Sequence, residues 1–428
     1  IQSASREHLQ KDVVWTRDDA SRSQTQARVD ALLAQPLSAD AAVQIALLNN
    51  PGLQAAFNTL GIAEADWVAA QRLPNPGLTL ARKTRGSEVE WERMLHFSLA
   101  ALLTMPMRAD IEQRLFEQTR HELVLQVLRL AADTRKAWVA AVAAGQSAHY
   151  QQQAMEAAEA GAELARRMAQ VGNWSRLKQA REQAFYADAA LAVARAEQAK
   201  RQTHERLVRL MGLHGADRLQ LPGRLPDLPT ALPGLPDVEQ QAMDSRIDLQ
   251  LTRLQTEALA KHLGLTRSTR LINVLELGII NNSSNEEPQQ RGYEISFELP
   301  LFDWGETRVA QAESRYRQAL ERARETAVNA RSEVREAYAM QQSHYAIARH
   351  LRDEMVPLKQ RISEENLLRY NGMLISVFEL LADARSQIAA VNAAIEAQRD
   401  FWLADADLQM ALVGTPSKTA ITVSSAPA

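Results

Sequence analysis

FSLAALLTMPMRADIEQ (residues 97–113) and FELPLFDWGETRVAQAES (residues 297–314) decide the fold. In each, a short alternating segment reaches a proline-marked corner, and a very long stretch almost free of helix breakers follows. The two segments lie about 200 residues apart, so the chain carries an internal two-fold repeat rather than a single compact domain.

Upstream of each corner the residues alternate in character. In Glu90–Leu103, Trp91, Leu95, Phe97 and Leu99 share one parity, while Glu92, His96 and Ser98 take the other. In Arg291–Leu301, Tyr293, Ile295, Phe297 and Leu299 alternate with Glu294, Ser296 and Glu298. A two-residue period of this kind makes a strand with one apolar face. Each has a preceding partner, Gly77–Lys83 and Arg270–Ile280, joined to it through RGSEVE and NNSSNEEPQQ respectively.

Downstream, residues 107–170 contain no proline and only Gly145 and Gly161. Roughly 64 helical residues at about 1.5 Å each would span about 95 Å. Gly172 and Asn173 supply a turn, Trp174–Met211 returns, and Gly212 stops the helix. The second copy predicts a helix over Glu306–Tyr370 that bends or pauses near Pro357, a turn at Asn371–Gly372, and a return over Met373–Val413. Ahead of each strand pair lies a helical segment: Ser38 caps one that is broken at Asn49–Gly52, and DSRIDLQLTRLQTEALAKHLG matches NNPGLQAAFNTLGIAEADWVA in pattern. The expected organisation is an N-terminal extended segment (1–37), a first repeat (38–220), a proline-rich connector (221–237) whose leucines lie against the body, a second repeat (238–414) and a disordered tail (415–428).

Composition narrows the function. Net charge is −3, so no basic field attracts nucleic acid. Cysteine is absent, and no run of about 18 apolar residues can form a membrane helix. β-Barrel strands need only about ten alternating residues and stay open to this chain. Four amphipathic strands cannot close a barrel alone, and hydrocarbon does not tolerate their unpaired edges. A slender helical hairpin likewise needs neighbours to cover its apolar stripe. Both constraints call for further copies of the chain, or else for a soluble sheet in a coiled-coil scaffold or adaptor. The nine histidines form no HExxH pattern or close pair, so no metal site is expected. No nucleophile elbow or phosphate loop appears, so neither catalysis nor a cofactor is expected.

LSADAAVQIALLNNPGLQAA, the LPNP at 73–76, ELPLFDWGETRVAQAES and RYNGMLISVFELLADARSQ together resemble the TolC-like outer-membrane efflux channels, over nearly all of residues 38–413. The last piece is most similar to metal and drug efflux members. The resemblance implies a homotrimer: an α/β membrane protein whose twelve-stranded β-barrel, four strands per chain, continues into a long α-helical periplasmic barrel. It implies an exit duct in the outer membrane, met by a periplasmic adaptor and powered by an inner-membrane transporter. The same architecture serves channels for secreted polypeptides, and that alternative stays open. Many members carry a lipid on an N-terminal Cys. This sequence begins at Ile1 without one, and lipidation stays open.

Glu379 and Asp383 lie four apart on one helix face, just before and within LLADA (380–384), a segment comparable to one where the family often places acids near a closed tip. Three-fold symmetry would turn each into a ring, a candidate pore gate. Arg361, Arg369 and Arg385 are candidate latches around that tip or solubilising surface charges. Gly172, Asn173, Trp174, Asn371 and Gly372 are candidate tip-turn or adaptor-contact residues. At the strand-to-helix corner, Asp303 can accept a helix N-terminal hydrogen bond, Trp304 can anchor at the membrane–water boundary, and Gly305 permits a tight backbone.

Overall fold

The structure, a computed structural model, describes residues 1–215, 219–271 and 274–416. In chain order come α1 (Gln2–Leu9), α2 (Asp19–Leu33), α3 (Ala39–Asn49), α4 (Pro51–Ala70), β1 (Gly77–Arg85), β2 (Glu88–Ser98), α5 (Leu99–Gln170), α6 (Arg176–Leu210), α7 (Val238–Ser245), α8 (Ile247–Ser268), β3 (Leu275–Ser284), β4 (Gln290–Phe297), α9 (Glu306–His350), α10 (Val356–Asn371) and α11 (Val377–Val413). A π-helical turn, Leu351–Met355, precedes α10. Pro357 has no N–H to return to the Asp353 carbonyl, which accounts for the irregular turn there. Among the described residues no helix is long and apolar enough to cross a membrane.

The chain forms two compact units, residues 55–123 with 247–329, and residues 1–54 with 124–246 and 330–428. Each takes its residues from both sequence repeats.

The first of these units holds the sheet. Its four strands are antiparallel in the order β1-β2-β3-β4. Gly86, at φ 62°, makes the tight turn of the first hairpin. The two hairpin ends are tied together: Val89 N donates to Asn285 Oδ1 at 2.7 Å, and Asn285 Nδ2 donates to the Ser87 carbonyl at 2.8 Å. In the helical part, Trp67 of α4 stacks on Phe116 of α5 at 5.4 Å, and Arg114 of α5 pairs with Glu257 of α8 at 2.7 Å.

The second unit carries most of the buried core. Ile45, Trp138, Val142, Leu207, Met211 and Leu225 form its centre. Trp138 Nε1 satisfies itself on the Leu37 carbonyl at 2.8 Å. The proline-rich connector lies along this unit, with Leu225 and Leu228 buried and the Pro226 carbonyl accepting from Gln398 and Trp402. The repeat recurs in its capping chemistry. Asn49 and Asn50, just before α4, donate to the last carbonyls of α6 at Leu210, Met211 and Gly212. Ser245 and Arg246, just before α8, do the same for α11 at Leu412 and Ala411.

Four expectations change. Residues 1–37 hold two helices rather than an extended segment: Asp18 and Ser21 form a capping box that starts α2, and Val29 and Leu33 bury its apolar side. The first corner does not sit at Met105–Met107. Ser98 Oγ accepts from Ala101 N at 3.3 Å and starts α5 at Leu99, so Pro106 lies inside the helix. β2 accordingly ends at Ser98 and β4 at Phe297, short of Leu103 and Leu301, while β1 runs on to Arg85. β3 is shifted to Leu275–Ser284 and takes up the first four residues of the expected loop. Residues 272–273 of the expected strand and 417–428 of the expected tail lie outside the described residues.

Candidate functional site

Two regions gather the residues singled out in the sequence. One is the turn end of the α5–α6 and α10–α11 hairpins, in the unit built from residues 1–54, 124–246 and 330–428. The other is the β4–α9 corner, in the sheet unit.

At the first turn, Gly172 adopts φ 79°, and Asn173 N and Trp174 N reach back to the Met168 carbonyl. Ser175 then caps α6. The second turn has the same geometry one residue later than expected. Gly372 has φ −80°, and Met373 takes the left-handed conformation at φ 58°. Leu374 N returns to the Arg369 carbonyl at 2.8 Å, and Ser376 caps α11. Each left-handed residue stands three positions before its capping serine, so Met373 is the counterpart of Gly172. A side chain in this conformation is strained by about 1 kcal/mol, and Met373 is 92% exposed beside the exposed Leu374.

Glu379 lies in the first turn of α11, exposed, its N–H turned to Ser376 Oγ at 3.3 Å. Asp383 follows one turn later and accepts a hydrogen bond from Asn366 of α10. Arg361 and Arg369 are exposed on α10. Arg385 turns inward: its Nη2 meets Glu182 Oε2 of α6 at 2.5 Å, and its guanidinium lies 4.2 Å from the Phe185 ring. Glu182 is 1% exposed and Arg385 29%. Opposite them on α5, Gly161 leaves just enough room for Leu381, whose methyl would stand 3.3 Å from an added Cβ. This ion pair joins α6 to α11 about two turns from either cap. Glu182 was not foreseen in the sequence, where it stands 203 positions from its partner.

The π-helical turn carries its own charge cluster. Arg352 donates to Asp353, and Arg349 approaches the same carboxylate at 3.4 Å. The Arg352 hydrogen bond holds the Asp353 carboxyl below its ordinary range.

At the corner, Asp303 Oδ1 accepts from Gly305 N at 2.8 Å, and the Gly305 carbonyl accepts from Val309 N as α9 starts. Gly305 has φ 75°, and a Cβ there would lie 2.6 Å from the Arg270 carbonyl oxygen. Trp304 is largely exposed, and Phe302 is 100% exposed.

The sheet above this corner has two unlike faces. Its ladders bring Leu275 opposite Phe297, Leu277 opposite Ile295 and Ile279 opposite Tyr293, all on one face. Ile279, Tyr293, Ile295 and Phe297 are all exposed there. Glu276, Gly278 and Glu294 point the other way. Among the described residues no three acidic or histidine side chains come together as metal ligands.

No family model matches the sequence, and no curated protein matches it. Solved structures do match. A membrane protein from Pseudomonas aeruginosa superposes with TM-score 0.74 at 18% identity, covering 90% of this chain and 93% of that one. The CmeC outer membrane channel of Campylobacter jejuni gives 0.74 at 16%, covering 94% and 89%. The MtrE outer membrane channel of Neisseria gonorrhoeae, in its open state, gives 0.69 at 17%, covering 92% and 91%. The chain has the fold of TolC-like outer-membrane channels.

Proposed function

We propose that this chain is the outer-membrane exit duct of a tripartite efflux pump. Three copies supply twelve strands to one closed barrel, and their helices form the tunnel beneath it, across the periplasm. A periplasmic adaptor meets the turn end, an inner-membrane transporter supplies the energy, and small solutes such as drugs or metal ions pass through. The protein conducts; it does not catalyse.

The observation that carries this reading is the four-stranded open sheet with an exposed apolar face and a polar opposite face. Water would penalise that face, and lipid would penalise the open edges. Closure by identical copies inside a bilayer removes both penalties at once.

Within this reading Glu379 and Asp383 ring the entrance and attract cations, while Arg385, through Glu182, fixes α11 to α6. Arg361 and Arg369 remain available to neighbouring copies as latches. The exposed Met373 and Leu374, with Trp174 at the other turn, form the apolar tip that meets the adaptor. Asp303, Trp304 and Gly305 seat the barrel on the tunnel.

The test is single-channel conductance in planar bilayers, with wild type beside Glu379→Ala and Asp383→Ala. Wild type conducts, and each variant loses cation preference or opens more readily. Absence of conductance refutes the duct. Unchanged preference and unchanged opening in both variants refute the acidic gate alone.

A further inference from the structure

The apolar face of the sheet also carries a pattern of charge. Strand alternation and ladder register place Arg82, Arg93 and Arg291 on the same face as Leu78, Leu95, Ile279 and Tyr293. No strand carboxylate shares that face. All five strand glutamates, Glu88, Glu90, Glu92, Glu276 and Glu294, point the other way, accompanied by Lys83 and Arg85. The separation is complete: arginines alone on the apolar side, every acid on the polar side.

The three arginines also share a level. Arg93 is opposite Leu80, Arg291 is opposite Asn281, and Arg82 is one step nearer the hairpin ends, opposite Trp91. On their helix side three apolar pairs follow, from Ile279–Tyr293 to Leu275–Phe297. At about 3.4 Å per residue these pairs cover roughly 14 Å, and Leu299, Leu301 and Phe302, beyond the end of β4, are exposed as well. A guanidinium in the middle of such a band would be costly in hydrocarbon; at its rim it reaches the headgroups, as long basic side chains do. Trp91 and Tyr293 flank the same rim, where amphipathic rings settle at a lipid–water boundary.

Among the described residues the arginine side chains meet only neutral groups. The Arg82 guanidinium lies 5.9 Å from the Trp91 ring, Arg93 Nη1 contacts Ser283 Oγ at 3.4 Å, and Arg291 Nη2 contacts Gln289 Oε1 at 3.3 Å. Most of their donors stay available for an external anion, and guanidinium geometry suits phosphate. We propose that Arg82, Arg93 and Arg291 form a binding row for the phosphate groups of lipid headgroups in the leaflet that surrounds the hairpin ends. The row rests on the duct reading, which puts this face in lipid. It would fix the height of the barrel in the membrane, and it selects lipids whose phosphates carry a net negative charge over zwitterionic or neutral ones.

The experiment uses the full chain in its detergent-extracted assembly, with bound lipid counted by native mass spectrometry. Diphosphoryl lipid A is titrated in a background of phosphatidylcholine, with inorganic phosphate at matched phosphate concentration as the competing arm. At about 1 kcal/mol of attraction per surface cation, each arginine is worth roughly fivefold, and the three together about a hundredfold. Arg93→Gln should weaken lipid A retention several-fold, and the triple variant Arg82→Gln/Arg93→Gln/Arg291→Gln about a hundredfold. Lys83→Gln/Arg85→Gln, on the opposite face, should change it less than twofold. Inorganic phosphate should not displace the lipid. Equal retention by wild type and both arginine variants overturns the row. Displacement by inorganic phosphate overturns its assignment to lipid. Failure of the wild type to assemble or conduct in a bilayer overturns the duct reading, and the row with it; a conducting wild type indifferent to lipid A overturns the row alone.

Discussion

Replacing Arg385 by Met should destabilise the helical unit far more than a surface substitution. The change leaves the Glu182 carboxylate, 1% exposed, without its partner at 2.5 Å. Its other oxygen, Oε1, already lacks a hydrogen bond among the described residues. Removing one partner of a buried pair costs about 3–5 kcal/mol; because Arg385 keeps 29% of its side chain in water, the lower end, about 3 kcal/mol, applies. Loss of the stacking on Phe185 at 4.2 Å adds to this. The assay is thermal unfolding in detergent, followed by helical circular dichroism, over the full cycle of Arg385→Met, Glu182→Met and the double variant. The single Arg385→Met change should lower the midpoint by several degrees. The double variant should recover most of the loss, since a well-packed apolar pair replaces a buried ion pair at little cost. Raising salt should weaken the wild-type coupling only modestly, since Glu182 is 1% exposed and only the Arg385 end of the pair meets water. An Arg385→Met loss below about 1 kcal/mol, or a double variant as unstable as the single one, would refute the argument from buried charge.

Arg246, 1% exposed, pairs with Glu333 at 2.8 Å and caps the α11 carbonyl at Ala411, so Arg246→Ala should cost about 3 kcal/mol or more and fray the end of α11, measurable as lost amide-exchange protection at residues 408–413. Gly305→Ala places a Cβ 2.6 Å from a carbonyl oxygen at φ 75° and should cost about 2 kcal/mol or more, read as a reduced yield of assembled protein in membranes. Met373→Gly should relieve left-handed strain and raise stability by up to about 1 kcal/mol, visible as a higher midpoint in the same melting assay. Burial raises the Asp405 carboxyl above its ordinary 3.8. Its stabilising contribution is therefore full below that value and lost as pH rises through the raised one. This part of the stability–pH profile should flatten in Asp405→Asn, whose side chain does not titrate.

Much of the architecture was legible because period and repeat are local properties. Tyr293 to Leu299 alternate without exception, and residues 107–170 contain too few breakers for anything but a long helix. Boundaries depart from the pattern where a second local signal outweighs the more obvious one. Pro106 looks like a helix start, but the Ser98 hydroxyl caps the backbone eight residues earlier, and the helix tolerates the proline. Gly372 looks like the turn residue because glycine fits a left-handed position cheaply. Counting back three residues from Ser376, as from Ser175 to Gly172, would have selected Met373. The Glu182–Arg385 pair has no local signature at all: 203 residues separate the partners, and only the packing of α6 on α11 makes them neighbours. The charge segregation of the sheet was half visible, in Glu294, Ser296 and Glu298, but register was needed to show that arginines occupy the other face alone.

The most direct test of the account is the native mass of the protein extracted from membranes in mild detergent. Three copies of the 47.6 kDa chain in one particle, insoluble once detergent is withdrawn, is the predicted result. A single copy that stays in solution without detergent would mean that the apolar sheet face never meets lipid, and would contradict it.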